Sequence, residues 1–518
     1  MKKTLLLVAS AVMACTSALG QWNSNNAENI LAWPEDRSYY SEEMEMTPDG
    51  GVWIAVAHPR NGAQASIGLQ LIDSLGNYKF EEPLLVSDYP ARTWISCGQI
   101  LFVDRDGNAI VSVVDFRYAP NGVDYENHTV YKISPEGEFL WGEDGITLEG
   151  ENVYDLVAGM SMCQLSDGSY VFAWMHNREE NRNMMSIEMQ RVSPEGEMLW
   201  KAEDVRLHDE KITYQCPYVV DGGNNQVVLL YAKGSSQDLM ARKLDFDGTP
   251  VWSEDTKVYN GGWGSIPIWT LLDVHPSGDG GLIVSWNDDR NYTNVESAYM
   301  AYVKPNGELG FSAENGQILG LAGWRSLKVR CFYDKASDAF YATWVEASQG
   351  QSWNRLVAQK ISKDGELLWG ENALELKPME QTNYAYNSIQ SSVDGEVAFF
   401  YMRNYSGSFG DVEAFVTTVN ANDTTIRRES EFTKGERVSQ KAGLETTPLY
   451  DNKYWIVMWN DNGATYEEVK VDRMMLQRLN VDFSLGSAGV EAVRAESTNF
   501  EALATLVDGE AMFATNMG

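Results

Sequence analysis

Apolar residues in this chain fall into short runs, each entered through a turn-forming pair and left through a polar stretch. Taken from their turns, the runs are GGVWIAVA at 50, DGNAIVSVV at 106, DGSYVFAW at 167, NQVVLLYA at 225, GGLIVSW at 280, DAFYATW at 338, GEVAFFY at 395 and NKYWIVMW at 452. They are rich in β-branched and aromatic residues, which suits pleated strands. Seven steps separate the first run from the eighth, about 57 residues each, and a fixed period of that size marks a repeat architecture.

One repeat, 325 to 381, reads as four strands. RSLKVRCFYDKASD gives a strand and a turn, AFYATWVE a second strand, RLVAQKIS a third, and KDG turns the chain into ELLWGENALEL, the fourth. The phrase around that last turn recurs as KISPEGEFLWGED at 132, RVSPEGEMLWKAED at 191 and KLDFDGTPVWSED at 243. Four strands joined by hairpins form one twisted sheet, which cannot bury both faces alone. Radial packing of such sheets solves this and leaves only short protected edges. The expected fold is therefore all-β: an eight-bladed propeller of four-stranded antiparallel blades. The last repeat offers a second strand, NKYWIVMW, and a third, VDRMMLQRLNVDF, but no clear fourth. The segment after Trp22 is in register with the fourth strands, so it is expected to close the ring from the N-terminus.

Forty Lys plus Arg against 74 Asp plus Glu give a net charge of −34, a field that repels phosphate backbones and so argues against nucleic acid. MKKTLLLVASAVMACTSALGQ has the charged start, apolar run and small residues of a secretory signal, with cleavage expected after Gly20. A rival reading takes VMAC as a lipobox with Cys15 acylated. Export to the periplasm, outer surface or medium is expected in either case. The organisation is then signal peptide 1–20, propeller 21–483 and a C-terminal tail 484–518, disordered or a remnant of a sorting segment. No later segment has the roughly 20 consecutive apolar residues of a membrane-spanning helix. A monomer is expected. Cys97, Cys163, Cys216 and Cys331 are too few for a disulfide framework and read as buried thiols. No C-x-x-C or H-x-x-x-H spacing supports zinc. DRDGN and DFDGT place glycine too early for a calcium loop, so no cofactor is expected beyond weak calcium binding by acidic loops.

Trp141, Trp200, Trp252 and Trp369 each follow a turn glycine by four residues, with Phe311 in the same place in another copy. Repetition favours wedging between blades, where an indole buries apolar area and finds a partner for its N–H. Trp174, Trp286, Trp344 and Trp459, at second-strand ends, read the same way. The spacing is similar to the tryptophan-docking motif of eight-bladed quinoprotein dehydrogenases and of propeller scaffolds in outer-membrane assembly. The Ala-x-Asp lead and the adjacent cysteines of those proteins are missing, so the resemblance implies no quinone. GGLIVSWNDDRNYTNVESAYMAYVKPNGELGF, 280 to 311, resembles more closely a secreted bacterial β-propeller repeat of the form W-x-D-x-R, a tyrosine-bearing strand, then G-x-x-L-W. That resemblance implies fold and export, not an activity.

Loops after the second and fourth strands are the long ones, and in a propeller both classes open on one face, where binding groups usually lie. Arg60, Arg117, Arg178, Arg290 and Arg403 recur after second strands. They either converge on a carboxylate or sulfate or pair within their own loops, Arg290 with Asp288 and Arg117 with Asp115. Trp94, Trp263, Trp269, Trp324 and Trp353 fall near long loops, where they either stack on sugar rings or pack the loops. Trp263, Trp324 and Trp353 join the arginines as candidate ligand contacts. No H-E-x-x-H, G-x-S-x-G or P-loop occurs. The expected function is an exported binding or scaffold module for an extracellular carbohydrate or protein, with a polysaccharide hydrolase or lyase as the alternative.

Overall fold

The structure, a computed structural model, describes residues 22, 29–33 and 41–486 apart from 60–63, 88, 90, 93–97, 120–124, 151–153, 155, 179–180, 262–271, 291–294, 312–313, 321–323, 405–411, 434–439 and 467–468, with the backbone of 501–507 and 510–516. The expected signal segment, 1–20, and Cys15, Cys97, Arg60, Trp94, Trp263 and Trp269 lie outside these residues.

Eight antiparallel blades form the ring. The second strands of four of them, Ala109–Asp115, Tyr170–Asn177, Leu282–Asp288 and Ala339–Ala347, are buried along their whole length. The first strands of successive blades lie against one another around the axis. Blade 3 keeps three full strands, Val157–Gln164, Tyr170–Asn177 and Met185–Val192. Its fourth is reduced to one bridge between Ile187 and Leu207 after the short helix Ala202–Val205. In the tail, Glu501–Val507 and Glu510–Asn516 pair antiparallel as a two-stranded sheet. No helix among the described residues is long and apolar enough to cross a membrane.

Ring closure follows the expected register. Ile30 and Leu31 pair antiparallel with Leu476 and Met475, supplying the fourth strand of blade 8, and Ala32 N–H donates to the Met474 carbonyl at 2.8 Å. The Tyr78 hydroxyl of blade 1 donates to the Leu31 carbonyl at 2.5 Å, so the inserted strand is held from both sides.

The recurring tryptophan is the joint between blades. Trp141 Nε1 donates to the Pro194 carbonyl of the next blade at 3.1 Å, Trp200 to Phe246 at 2.9 Å, Trp252 to Pro305 at 3.0 Å, and Trp22 to Ser74 at 2.9 Å. Every acceptor lies two residues before the glycine of the receiving hairpin. That glycine is required twice over. Gly307 sits at φ +88°, and a Cβ there would approach the Trp252 ring to 2.8 Å. Where Trp is replaced, the contact persists in another chemistry. Phe80 faces Gly137 and Phe311 faces Gly365. Arg428 donates from its guanidinium to the Val481 carbonyl and lies 4.7 Å over the Phe483 ring. Trp369 meets a blade whose hairpin lacks the glycine, and its N–H finds no partner.

Candidate functional site

The inner strands determine what the axial channel presents. In five blades the inner strand shifts register midway, between Ala158 and Ser161, Gln215 and Tyr218, Leu327 and Arg330, Ala385 and Ser388, and Ala442 and Glu445. The bulge opens on a residue of positive φ: Gly159, Cys216, Lys328, Tyr386 and Gly443. For Cys216, Lys328 and Tyr386 this conformation is strained, because a Cβ crowds the backbone there. Past the bulge, side chains of one blade cap backbone N–H groups of the next. Met44 N–H donates to Glu445 at 2.9 Å, and Ile100 and Leu101 N–H donate to Glu43 at 2.9 and 2.8 Å. Met162 donates to Gln99 at 3.0 Å, Val219 to Ser161 at 3.0 Å, and Cys331 to Asp273 at 2.7 Å.

This collar gathers acids between blades 8 and 1. Burial pushes Glu43 up to about 8, against its two N–H donors and with help from the nearby Glu45 charge. Burial also takes Glu45 to about 7 and raises Glu445 well above the carboxylate range, with Glu43 and Glu42 adding to the latter. Another stretch of the wall, between blades 5 and 6, behaves differently. Burial works against the charge of Asp273, but His275, Arg330 and the Cys331 N–H outweigh it and hold the carboxyl at about 2.

At the long-loop end of the axis, blades 6 to 8 enclose a cavity of about 430 Å³. Its lining includes Lys328, Arg330, Lys441, Asn383, Asn387 and Tyr386. Among the described residues it contains no carboxylate or histidine. Burial, with Arg330 beside it, lowers the Lys328 pKa. Two bulge residues of strained backbone, Lys328 and Tyr386, thus face one concave, amide-rich space, where Lys441 is already held by Glu413 and Asp461 and Arg330 lies 3.8 Å from Asp273.

Of the recurring arginines among the described residues, Arg117, Arg178 and Arg290 hold loops of their own blades. Arg290 meets Asp288 through Nε at 2.9 Å and Nη2 at 2.6 Å, and lies 3.5 Å over the Tyr299 ring. Trp286 Nε1 donates to the same carboxylate at 2.8 Å, so the W-x-D-x-R phrase is one staple built on Asp288. Arg117 grips Asp115 in the same way and donates to the Asp144 carbonyl and the Tyr131 hydroxyl, both at 2.6 Å. Arg178 is buried and donates to Ser186 and to the Met185, Asp209 and Ile212 carbonyls. Arg403 pairs with Glu380. The contacts of Arg117 and Arg290 are the in-loop pairs expected from sequence. Trp324 and Trp353, by contrast, stand 39% and 49% exposed on the loops flanking blade 6. Arg355 lies beside them, 5.8 Å over the Trp324 ring and fixed by Glu346 at 2.6 Å. The other tryptophans read as structural, Trp174, Trp286, Trp344 and Trp459, are buried.

Sequence reasoning missed Lys328, Arg330, Tyr386 and Lys441. The available signal was the same 57-residue spacing applied to polar positions of the first strands, which the bulges obscure because they break the alternation of faces.

No protein-family model matches the chain, and no curated protein matches it. Solved structures that it resembles include the polysaccharide lyase Uly1 (11% identity, 76% of this chain and 91% of that one, TM-score 0.41). Others are a protein of unknown function from Dyadobacter fermentans (10%, 64% and 96%, 0.35) and an endo-arabinase from Bacteroides thetaiotaomicron (11%, 50% and 92%, 0.30).

Proposed function

We propose that the chain is an exported binding module that holds an extracellular glycan on its long-loop face, across the cavity of blades 6 to 8 and the neighbouring Trp324 and Trp353. The observation that carries this reading is where aromatic rings are exposed. Tyr89, Tyr118, Trp324 and Trp353 lie on or beside the long loops, and Tyr386 lies at the cavity. The exposed apolar residues of the tight hairpins are aliphatic apart from Phe246, as with Leu75, Leu140, Leu199 and Leu368. Aromatic faces suit the apolar faces of sugar rings, and amides and hydroxyls beside them suit sugar hydroxyls. Lys328 favours a glycan bearing carboxylates or sulfates, which such a cation recognises by a charge-assisted hydrogen bond, while Arg330 and Lys441 already lie beside Asp273 and beside Glu413 and Asp461. Of the recurring arginines, Arg403 lies beside this cavity, where it pairs with Glu380.

Binding is preferred over hydrolysis because hydrolysis requires a pair of carboxylates across the scissile bond, and the described cavity lining supplies cations and amides instead; a lyase needs no such pair, and product analysis separates it from binding. Screening the purified chain against neutral and acidic glycans, with product analysis in the same wells, tests the reading. Retention of an acidic glycan without shortened products is expected, and retention should fall in Trp353→Ala and Trp324→Ala. Shortened or unsaturated products would overturn it in favour of an enzyme. Failure of every glycan, with capture of a protein ligand instead, would overturn it in favour of a protein scaffold.

A further inference from the structure

Asp273 and His275 are two apart on the inner strand Asp273–Pro276, so both side chains leave the same face of the strand. Cys331 comes from the inner strand Arg325–Asp334 of the next blade. The two strands are locked together. Cys331 N–H donates to the Asp273 carboxylate at 2.7 Å, and its thiol donates to the Asp273 carbonyl at 3.3 Å. His275 Nε2 lies 3.2 Å from the same carboxylate. We propose that Asp273, His275 and Cys331 form a mononuclear site for a divalent transition-metal ion of the zinc class, on the channel wall between blades 5 and 6.

One oxygen, one imidazole nitrogen and one sulfur lie within 4.8 Å of one another. A tetrahedral ion at about 2.0–2.3 Å from such donors separates them by roughly 3.2–3.8 Å, and the His275–Asp273 pair already has that spacing. Sulfur and imidazole donors select zinc-like ions over calcium or magnesium, which take oxygen. A thiolate and a carboxylate balance a divalent charge. Arg330 Nη1, 3.8 Å from the other Asp273 oxygen, would orient that carboxylate, although its positive charge opposes the ion. The buried Ser285 hydroxyl has no hydrogen-bond partner and lies next to the Cys331 thiol, placed to donate to the thiolate that metal binding requires, although burial and the Asp273 carboxylate oppose that thiolate until an ion is bound. His275 is 43% exposed, leaving the fourth position open to the channel. The ligands were invisible to spacing rules because they come from two blades, 56 residues apart between His275 and Cys331 (331 − 275).

The test is titration of the full chain, stripped of metal and kept reduced, with Co²⁺ and then Zn²⁺ in competition. One equivalent of Co²⁺ should give a thiolate-to-cobalt charge-transfer band that Zn²⁺ removes. Cys331→Ser should abolish the band, while Cys163→Ser, altering a thiol buried in blade 3, should keep it. His275→Ala should weaken Co²⁺ binding by about tenfold or more, since even outer partners of a metal site are worth that much. Should Cys331→Ser fail to fold, His275→Ala alone decides, because this half-exposed side chain adds little to the core. Absence of the band in the parent, its persistence in Cys331→Ser, or unchanged affinity in folded His275→Ala would each overturn the proposal.

Discussion

Replacing Glu43 by Gln tests the acidic side of the channel collar. Glu43 Oε2 accepts two backbone N–H groups of blade 2, at 2.9 and 2.8 Å, and the amide oxygen of Gln can accept the same pair. What the change removes is the proton. Burial first, then the Glu45 charge, places the folded-state pKa at about 8 against an ordinary 4.5. Because the folded value is raised, folded protein holds a proton through this window that unfolded chain has released. Stability therefore falls as pH rises from 4.5 towards 8 and levels off above. At about 1.36 kcal/mol per pH unit the ceiling is roughly 4–5 kcal/mol, and contact with channel water and sharing of protons with Glu45 and Glu445 bring it to about 2–4 kcal/mol. With unfolding entropy near 2.1 cal/mol/K per residue over roughly 450 residues, that is about 2–4 °C in Tm. Urea unfolding followed by tryptophan fluorescence at about pH 5 and about pH 8.5 measures it. Parent and Glu43→Gln should agree near pH 5, and the variant should be the more stable near pH 8.5, so its pH slope is shallower. Equal slopes, or a variant destabilised alike at both pH values, would refute this account of Glu43.

Two further predictions concern the blade joints. Gly307→Ala places a Cβ at φ +88° and 2.8 Å from the Trp252 ring, so thermal melting should show a loss of at least about 1–2 kcal/mol from the backbone alone. Trp200→Phe removes the N–H that reaches the Phe246 carbonyl at 2.9 Å but keeps a ring in the wedge, as Phe80 and Phe311 do naturally. Denaturant unfolding should show a loss of about 1–2 kcal/mol for Phe and about 3–5 for Ala.

The ring was legible because its signals are local and repeated: alternating runs, turn glycines, and an aromatic four residues beyond. The closing strand was legible because Trp22 repeats the register of Trp141. The replacement of that tryptophan by Arg428 was not, since its equivalence shows only when the guanidinium reaches the Val481 carbonyl. The channel chemistry was hidden for a related reason. Glu43 and Glu445, or Asp273 and Cys331, are unremarkable as letters and acquire unusual environments only where the inner strands of neighbouring blades meet. The arginines were visible as a set, but their acidic partners fixed what each one touches.

The joint between the two ends of the chain makes the molecule a clasp. Gln477 reaches Asn29 across 448 positions of sequence, and until the eighth sheet exists the opening segment has no edge to occupy. Assembly of the circle is therefore a late, entropically costly event. An unfastened intermediate carries both a bare strand and a vacant slot, the two halves needed for one copy to lend its first strand to another.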